Sequence, residues 1–124
     1  MRFMMMVKVA ENSGPPPKQF MEAVAKLSEE ATKAGTMVGN GMFGPTTLGA
    51  RVRLSRGQVT VIDGPFTEAK EVVGGFAMFE LKTKEEAIEA TLRFMELHKK
   101  HWPGWEGETE IRQVLEPENS APRA

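Results

Sequence analysis

Two apolar stripes at helical spacing, each set between short stretches of strand character, restrict what this chain can fold into more than any other feature. In the first, Phe20, Val24, Leu27, Ala31 and Ala34 recur at spacings of four, three, four and three residues, which gathers them on one side of a helix. Gly35 follows as a C-terminal cap, and Glu22, Lys26, Glu29, Glu30 and Lys33 fill the solvent side. The second opens at Thr83-Lys84-Glu85-Glu86, a capping box in which the Thr83 hydroxyl meets the Glu86 amide and the Glu86 carboxylate reaches back. Ile88, Thr91, Leu92 and Met95 form its expected buried stripe with Ala87 and Phe94 beside them, and Pro103 stops the helix.

The strands fall around these helices. Residues 3–9 are apolar and run into Asn12-Ser13-Gly14-Pro15-Pro16-Pro17, as a buried first strand ending in a loop does. Residues 37–43 hold Gly39, Asn40 and Gly41 and read as an irregular, bulge-prone strand. Apolar and polar residues alternate on both sides of Arg56-Gly57, which marks a hairpin over 50–62. Gly74-Gly75 opens another strand at 76–81, and 107–115 is the last, with Thr109, Ile111 and Leu115 on one face and Glu108, Glu110 and Arg112 on the other. Removing the hairpin leaves two βαβ units. The fold class is therefore α+β, a ferredoxin-like antiparallel sheet with two helices on one face and an inserted β-hairpin. Met4, Met6, Phe76 and Met78 lie on opposite pleats from their apolar neighbours, so the face without helices is partly apolar too. A second copy of the chain, packed sheet to sheet as a homodimer, is the expected cover.

A chain of 124 residues has the size of one domain with one core. Residues 1–116 are assigned to that domain and 117–124 to a flexible tail. Sixteen basic residues against 17 acidic ones give a net charge of -1, which leaves no excess for binding a phosphate backbone, and no nucleic acid is expected as a partner. No stretch approaches the roughly 18 apolar residues of a membrane span. The opening apolar run is broken by Lys8 with no cleavage site after it, so no signal peptide is read and a cytoplasmic location, away from membranes, is expected. Cys is absent, which removes disulfides, thiolate nucleophiles and thiolate metal sites. Tyr is absent as well, and Asp63 is the single aspartate.

Asp63 opens the densest unusual segment, Asp63-Gly64-Pro65-Phe66-Thr67-Glu68-Ala69-Lys70-Glu71-Val72-Val73-Gly74-Gly75-Phe76. Residues 67–73 have room for about one to two helical turns. As a turn residue or N-cap, Asp63 would accept local amides, but the amide two positions on belongs to Pro65 and has no hydrogen. Phe66 or Thr67 would have to serve. As a site residue, Asp63 would project from a strand end into a pocket as acid, base or anchor. Glu68 and Lys70 have the same two possibilities, surface ion pairing or a place beside Asp63. Arg112 is either an ion-pair partner across strands or the anchor of an anionic ligand. His98 and His101 are three residues apart near the end of the second helix, where imidazoles complement the helix dipole. A third ligand is lacking, and neither a metal nor another cofactor is expected. Trp102 and Trp105 flank Pro103-Gly104 and suit core packing, a subunit contact or a pocket wall. No Ser-His-Asp triad and no phosphate-binding glycine loop is present.

Asp63-Gly64-Pro65-Phe66, followed by Glu68, Lys70-Glu71 and Gly74-Gly75-Phe76, resembles the DGPF family of YCII-related proteins. The resemblance extends from Phe3-Met4-Met5-Met6-Val7 to Glu110-Ile111-Arg112. It implies a small ferredoxin-like domain that pairs into a dimeric α/β barrel. Most DGPF members resemble proteins of unknown activity, some encoded with or fused to extracytoplasmic-function sigma factors. The wider superfamily includes a dehydrochlorinase and muconolactone-isomerase-like enzymes that use a His and Asp pair, with the His on the first helix. Here the first helix has no His, and Gln19 is its nearest polar candidate. The expected function is binding of a small polar or anionic organic molecule by the loop from Asp63 to Phe76, with Phe66, Glu68, Lys70, Phe76 and Arg112 as ligand contacts. Proton transfer by Asp63 is the simplest chemistry available if the protein is an enzyme. The alternative is a regulatory module that binds a protein such as a sigma factor.

Overall fold

The computed structural model describes residues 1–116, and the tail expected at 117–124 lies outside them. The elements follow one another as β1 (Arg2–Val9), α1 (Lys18–Lys33), β2 (Met37–Met42), a 3₁₀ turn (Thr46–Leu48), β3 (Ala50–Ser55), β4 (Gln58–Asp63), β5 (Val72–Glu80), α2 (Lys84–His101) and β6 (Glu108–Val114). Four strands form one antiparallel sheet in the order β2-β5-β1-β6. Setting the hairpin β3-β4 aside, this order is consistent with the ferredoxin-like arrangement. The hairpin forms its own two-stranded sheet. Its turn has Arg56 at φ 53° and Gly57 at φ 76°, and two left-handed central residues match the twist of the flanking strands.

Pleating divides β1 into two sets of side chains. Phe3 and Met5 point to the helices, where they pack with Phe79 and Ala87 in the buried centre. Met4 pairs with Met78 and Met6 with Phe76, so all four stand on the other face, half-buried at the open surface of the sheet. Arg112 and Glu110 share that face, opposite Met4 and Met6. The irregularity expected in β2 is a register shift between Met37 and Gly39.

Helix α1 ends as its sequence predicts. Gly35, at φ 79°, donates its amide to Thr32 O at 3.1 Å, and Thr36 donates to Ala31 O at 3.0 Å, the paired closure that satisfies the last free carbonyls. Helix α2 begins with the capping box, Glu86 N–H on Thr83 Oγ1 at 3.1 Å and Thr83 N–H on Glu86 Oε1 at 3.3 Å. Its buried face differs from the expected one. Ala87, Thr91 and His98 are buried, whereas Ile88 and Leu92 are 40% and 55% exposed. The cause is how closely the helix approaches the sheet. Small Ala87 enters the core beside Phe3, and Thr91 Oγ1 lies 3.1 Å from Met5 Sδ while donating to Ala87 O at 2.9 Å. Ile88 in that position would hold the helix away, so the phase turns by about one residue, or 100°. Leu115 lies past the end of β6 and is 79% exposed rather than part of a strand face. Among the described residues no helix is long and apolar enough to cross a membrane.

Thr83→Ala removes the side-chain acceptor at the start of α2 and is expected to lower unfolding stability by about 1 kcal/mol. Urea denaturation followed by helix ellipticity measures it.

Candidate functional site

The loop after β4 is held by a neighbouring segment. Gly64 N–H donates to Gly49 O at 3.0 Å, and a Cβ on Gly64 would lie 1.6 Å from the Thr46 carbonyl oxygen, so no other residue fits. Pro65 follows through a cis peptide. Phe66 N–H then donates to Thr46 Oγ1 at 3.1 Å. Thr46 in turn gives both its amide and its hydroxyl to the Glu11 carboxylate, the hydroxyl at 2.7 Å. These two donors hold the Glu11 carboxyl below its usual value. On the outer side, the Arg51 guanidinium lies 3.9 Å from the centre of the Phe66 ring and pairs with Glu68. The Glu68 carboxyl is lowered by its own backbone amide and by Arg51.

The helical turns expected over 67–73 do not form. One turn closes by Ala69 N–H on Phe66 O at 3.1 Å, and Val72 and Val73 are already paired with Val9 and Lys8 in the sheet. Ladder pairing to β1 takes the residues that a helix would need. Asp63 lies at the end of β4 opposite Ala50 and is exposed. Among the described residues its carboxylate has no hydrogen bond or ion pair, and the Phe66 amide, one of the two it could have capped, is taken by Thr46. Lys70 is exposed in the same loop. Arg112 projects from the edge strand β6 and pairs with Glu110 of its own strand at 3.1 Å, not across strands.

A large cavity lies elsewhere, between α1 and the helix-facing side of the sheet. Its volume is about 1090 Å³. The floor includes Gly75 and Ala77 and the roof Val24, Leu27 and Ala31, so the small residues of the floor leave the middle of the layer unfilled. Glu11, Gly44 and Pro45 border one end, which makes the Glu11–Thr46–Phe66 chain of hydrogen bonds part of the frame of the cavity. Of the site residues expected from the sequence, Asp63, Phe66, Glu68, Lys70, Phe76 and Arg112, Phe76 alone borders it. By register its ring stands on the open face, where it meets Phe43 at 5.5 Å between centroids.

His98, with the two tryptophans, closes the other end. It is 4% exposed rather than a solvated residue of the last turn. Its ring lies 4.4 Å from Phe20, 4.6 Å from Phe94 and 4.1 Å from Trp105, with Trp102 stacked at 6.3 Å. Burial among these rings pushes the imidazole below its ordinary 6.5, against a smaller upward push from the Phe94 carbonyl. The signal in the sequence was the spacing: His98 follows Phe94 by four and Thr91 by seven, on the inward face once the helix phase is corrected. Among the described residues no group of three His, Asp or Glu side chains could hold a metal ion.

A family model described as YCII-related domain matches residues 1–96. Over 69 residues the chain is 36% identical to an uncharacterised protein of Rhizobium meliloti (strain 1021), a match that covers 56% of this chain and 53% of that protein. The chain thus spans about half the length of that relative.

Two expected outcomes follow from this geometry. Gly64→Ala forces the Thr46 turn to move and costs about 1–3 kcal/mol, against about 1 kcal/mol for Thr46→Val, which removes only the hydroxyl contacts; chemical denaturation ranks the two. For His98 the folded chain holds the imidazole below its unfolded value, so as the pH falls the unfolded chain takes up the proton first. Its contribution to stability is full above the ordinary 6.5 and is lost as the pH falls through that value. The melting temperature of the wild type is expected to drop between about pH 7 and pH 5, and that of His98→Phe to drop less.

Proposed function

Because the chain belongs to the YCII-related domain family, we propose that it binds a small, largely apolar organic molecule between α1 and the sheet. The observation that carries this reading is the cavity, about 1090 Å³, well matched in size to a small-molecule site and lined mainly by apolar side chains. Asp63-Gly64-Pro65-Phe66 supports a finer placement in the DGPF branch and has a mechanical part in the reading: it fixes the segment that borders the cavity at Gly44 and Pro45. Asp63 itself stands outside the cavity, so binding is argued from the cavity and not from its carboxylate. Proton transfer by Asp63 would act on a molecule held at the end of β4.

The open sheet face supports a homodimer of the barrel type. Met4, Met6, Phe76 and Met78 form its apolar centre, bordered by the pairs Arg2–Glu80 and Lys8–Glu110. A self-complementary apolar patch with charged edges is what a two-fold contact needs. A regulatory or protein-interaction role, with a transcription protein such as a sigma factor as the partner, is the second reading. It is favoured by the hairpin, where Val52, Leu54, Val59 and Val61 share one face and each is at least 67% exposed.

Calorimetric titration with 4-propylanisole, an apolar ring without a hydrogen-bond donor, is expected to show one saturable site per chain. Val24→Trp, which fills the roof of the cavity, abolishes it while leaving the circular dichroism unchanged. Absence of saturable binding by the wild type rejects the cavity as a binding site. Light scattering at micromolar concentration is expected to give twice the 13.7 kDa of one chain, and Met6→Asp to give the single mass; a monomeric wild type rejects the dimer.

A further inference from the structure

His98, Trp102 and Trp105 lie beyond residues 1–96, the part of the chain that the YCII-related family model matches. They build one end of the cavity, and His98 also borders a second, smaller cavity of about 390 Å³ with Met95, Lys99 and Glu106. The imidazole is 4% exposed. Its Nδ1 lies 3.1 Å from the carbonyl oxygen of Phe94, one turn back on α2. A carbonyl only accepts, so Nδ1 carries the hydrogen and Nε2, on the side of the ring away from the helix backbone, presents a lone pair. Among the described residues nothing donates to it. Thr109, the nearest hydroxyl-bearing neighbour on β6, directs its hydroxyl to Met95 Sδ at 3.2 Å.

A phenylalanine would fill this aromatic cluster without the cost of burying an unmet acceptor. An imidazole there has a use if a donor arrives from the cavity. The charged groups of α2 and the loop after it that border the two cavities are Glu86, Glu89, Arg93, Lys99 and Glu106. α1 contributes the Phe20 ring. None of these charged groups pairs with the imidazole, and its burial favours the neutral form, which can accept.

We propose that His98 Nε2 is the polar anchor of the cavity and accepts a hydrogen bond from the hydroxyl of a phenol-type ligand whose ring packs among Phe20, Trp102 and Trp105. The inference rests on the reading of the cavity as a binding site and adds the ligand class. The rings supply apolar and edge-to-face contact, and the single acceptor supplies orientation and selection for a donor.

The test compares 4-propylphenol with 4-propylanisole, which differ in the donor, by calorimetry on the full chain at a pH where the imidazole is neutral. The phenol is expected to bind the wild type about tenfold more tightly. His98→Phe is expected to bind both equally, at the wild-type affinity for the anisole. Equal affinities in the wild type, or a phenol preference that survives in His98→Phe, overturn the role of His98 and leave the cavity standing. Binding of neither compound rejects the cavity itself. A measurement on the unmutated protein stands beside the variant in case His98→Phe does not fold. In protein carrying ¹⁵N-labelled histidine, the Nε2 resonance of His98 is expected to move upfield with 4-propylphenol and not with 4-propylanisole, His101 serving as the internal reference. An Nε2 resonance that ignores the phenol at saturation overturns the proposal.

Discussion

β1 is the constraint from which the other layers take their positions. It is hydrogen-bonded along both edges, to β5 and to β6, and it is apolar on both faces through the run Phe3-Met4-Met5-Met6-Val7. A shift of one residue in its register would exchange Phe3 and Met5 for Met4 and Met6 and turn the core set out to the open face. Phe3 and Met5 form the buried centre with Phe79 and Ala87, so the packing of α2 against the sheet selects the register and the register in turn creates the second apolar face. The same alternation that anchors the helices leaves a second, partly apolar sheet surface. An excess of methionine there is consistent with a contact that must adapt to another surface, since an unbranched thioether repacks at low cost.

The cavity follows from how unevenly the two helices use the sheet. Helix α2 comes close because Ala87 and Thr91 are small at the point of contact. Helix α1 is tied at its ends, by Phe20 against His98 and Trp102 and by Ala31 against the core, while its middle spans Gly75 and Ala77. The floor cannot easily be filled from below. A Cβ on Gly75 would approach Gly41 O at 3.1 Å. Close approach of β2 to β5 therefore keeps this part of the sheet bare, and the volume above it is a consequence of strand packing as much as of helix placement.

Local chemistry made most of the fold legible in the sequence. The Thr83 and Glu86 capping box, the Gly35 closure of α1, and the turn at Arg56-Gly57 each involve residues within a few positions of one another and depend on side-chain chemistry that the sequence displays. The phase of α2 was less accessible. Ile88 and Leu92 are more hydrophobic than Ala87 and Thr91, but close packing at the sheet rewards the small pair, and that preference depends on Met5, 86 positions away from Thr91. His98, which the sequence offers as a complement to the helix dipole, is buried on the same side of the helix as Thr91. The loop after Asp63 departs from the expected helical turns for a related reason: Val72 and Val73 pair with Val9 and Lys8, and its amides go to Thr46 and Gly49, partners distant in sequence.

The most specific motif in the sequence and the cavity between α1 and the sheet are therefore joined by mechanics rather than by shared lining residues. Each position of Asp63-Gly64-Pro65-Phe66 can be asked what it does. Gly64 admits the Thr46 carbonyl, and Phe66 supplies an amide to Thr46 and a ring to Arg51. The Asp63 carboxylate has no hydrogen bond or ion pair among the described residues. It stands on the same face of the hairpin as Val52 and Val61, exposed side chains that together make an apolar surface ending in one carboxylate. Of the two amides a cap could take, that of Phe66 is bound by Thr46. Its carboxylate stands exposed at the end of the hairpin, apart from the cavity that His98 closes.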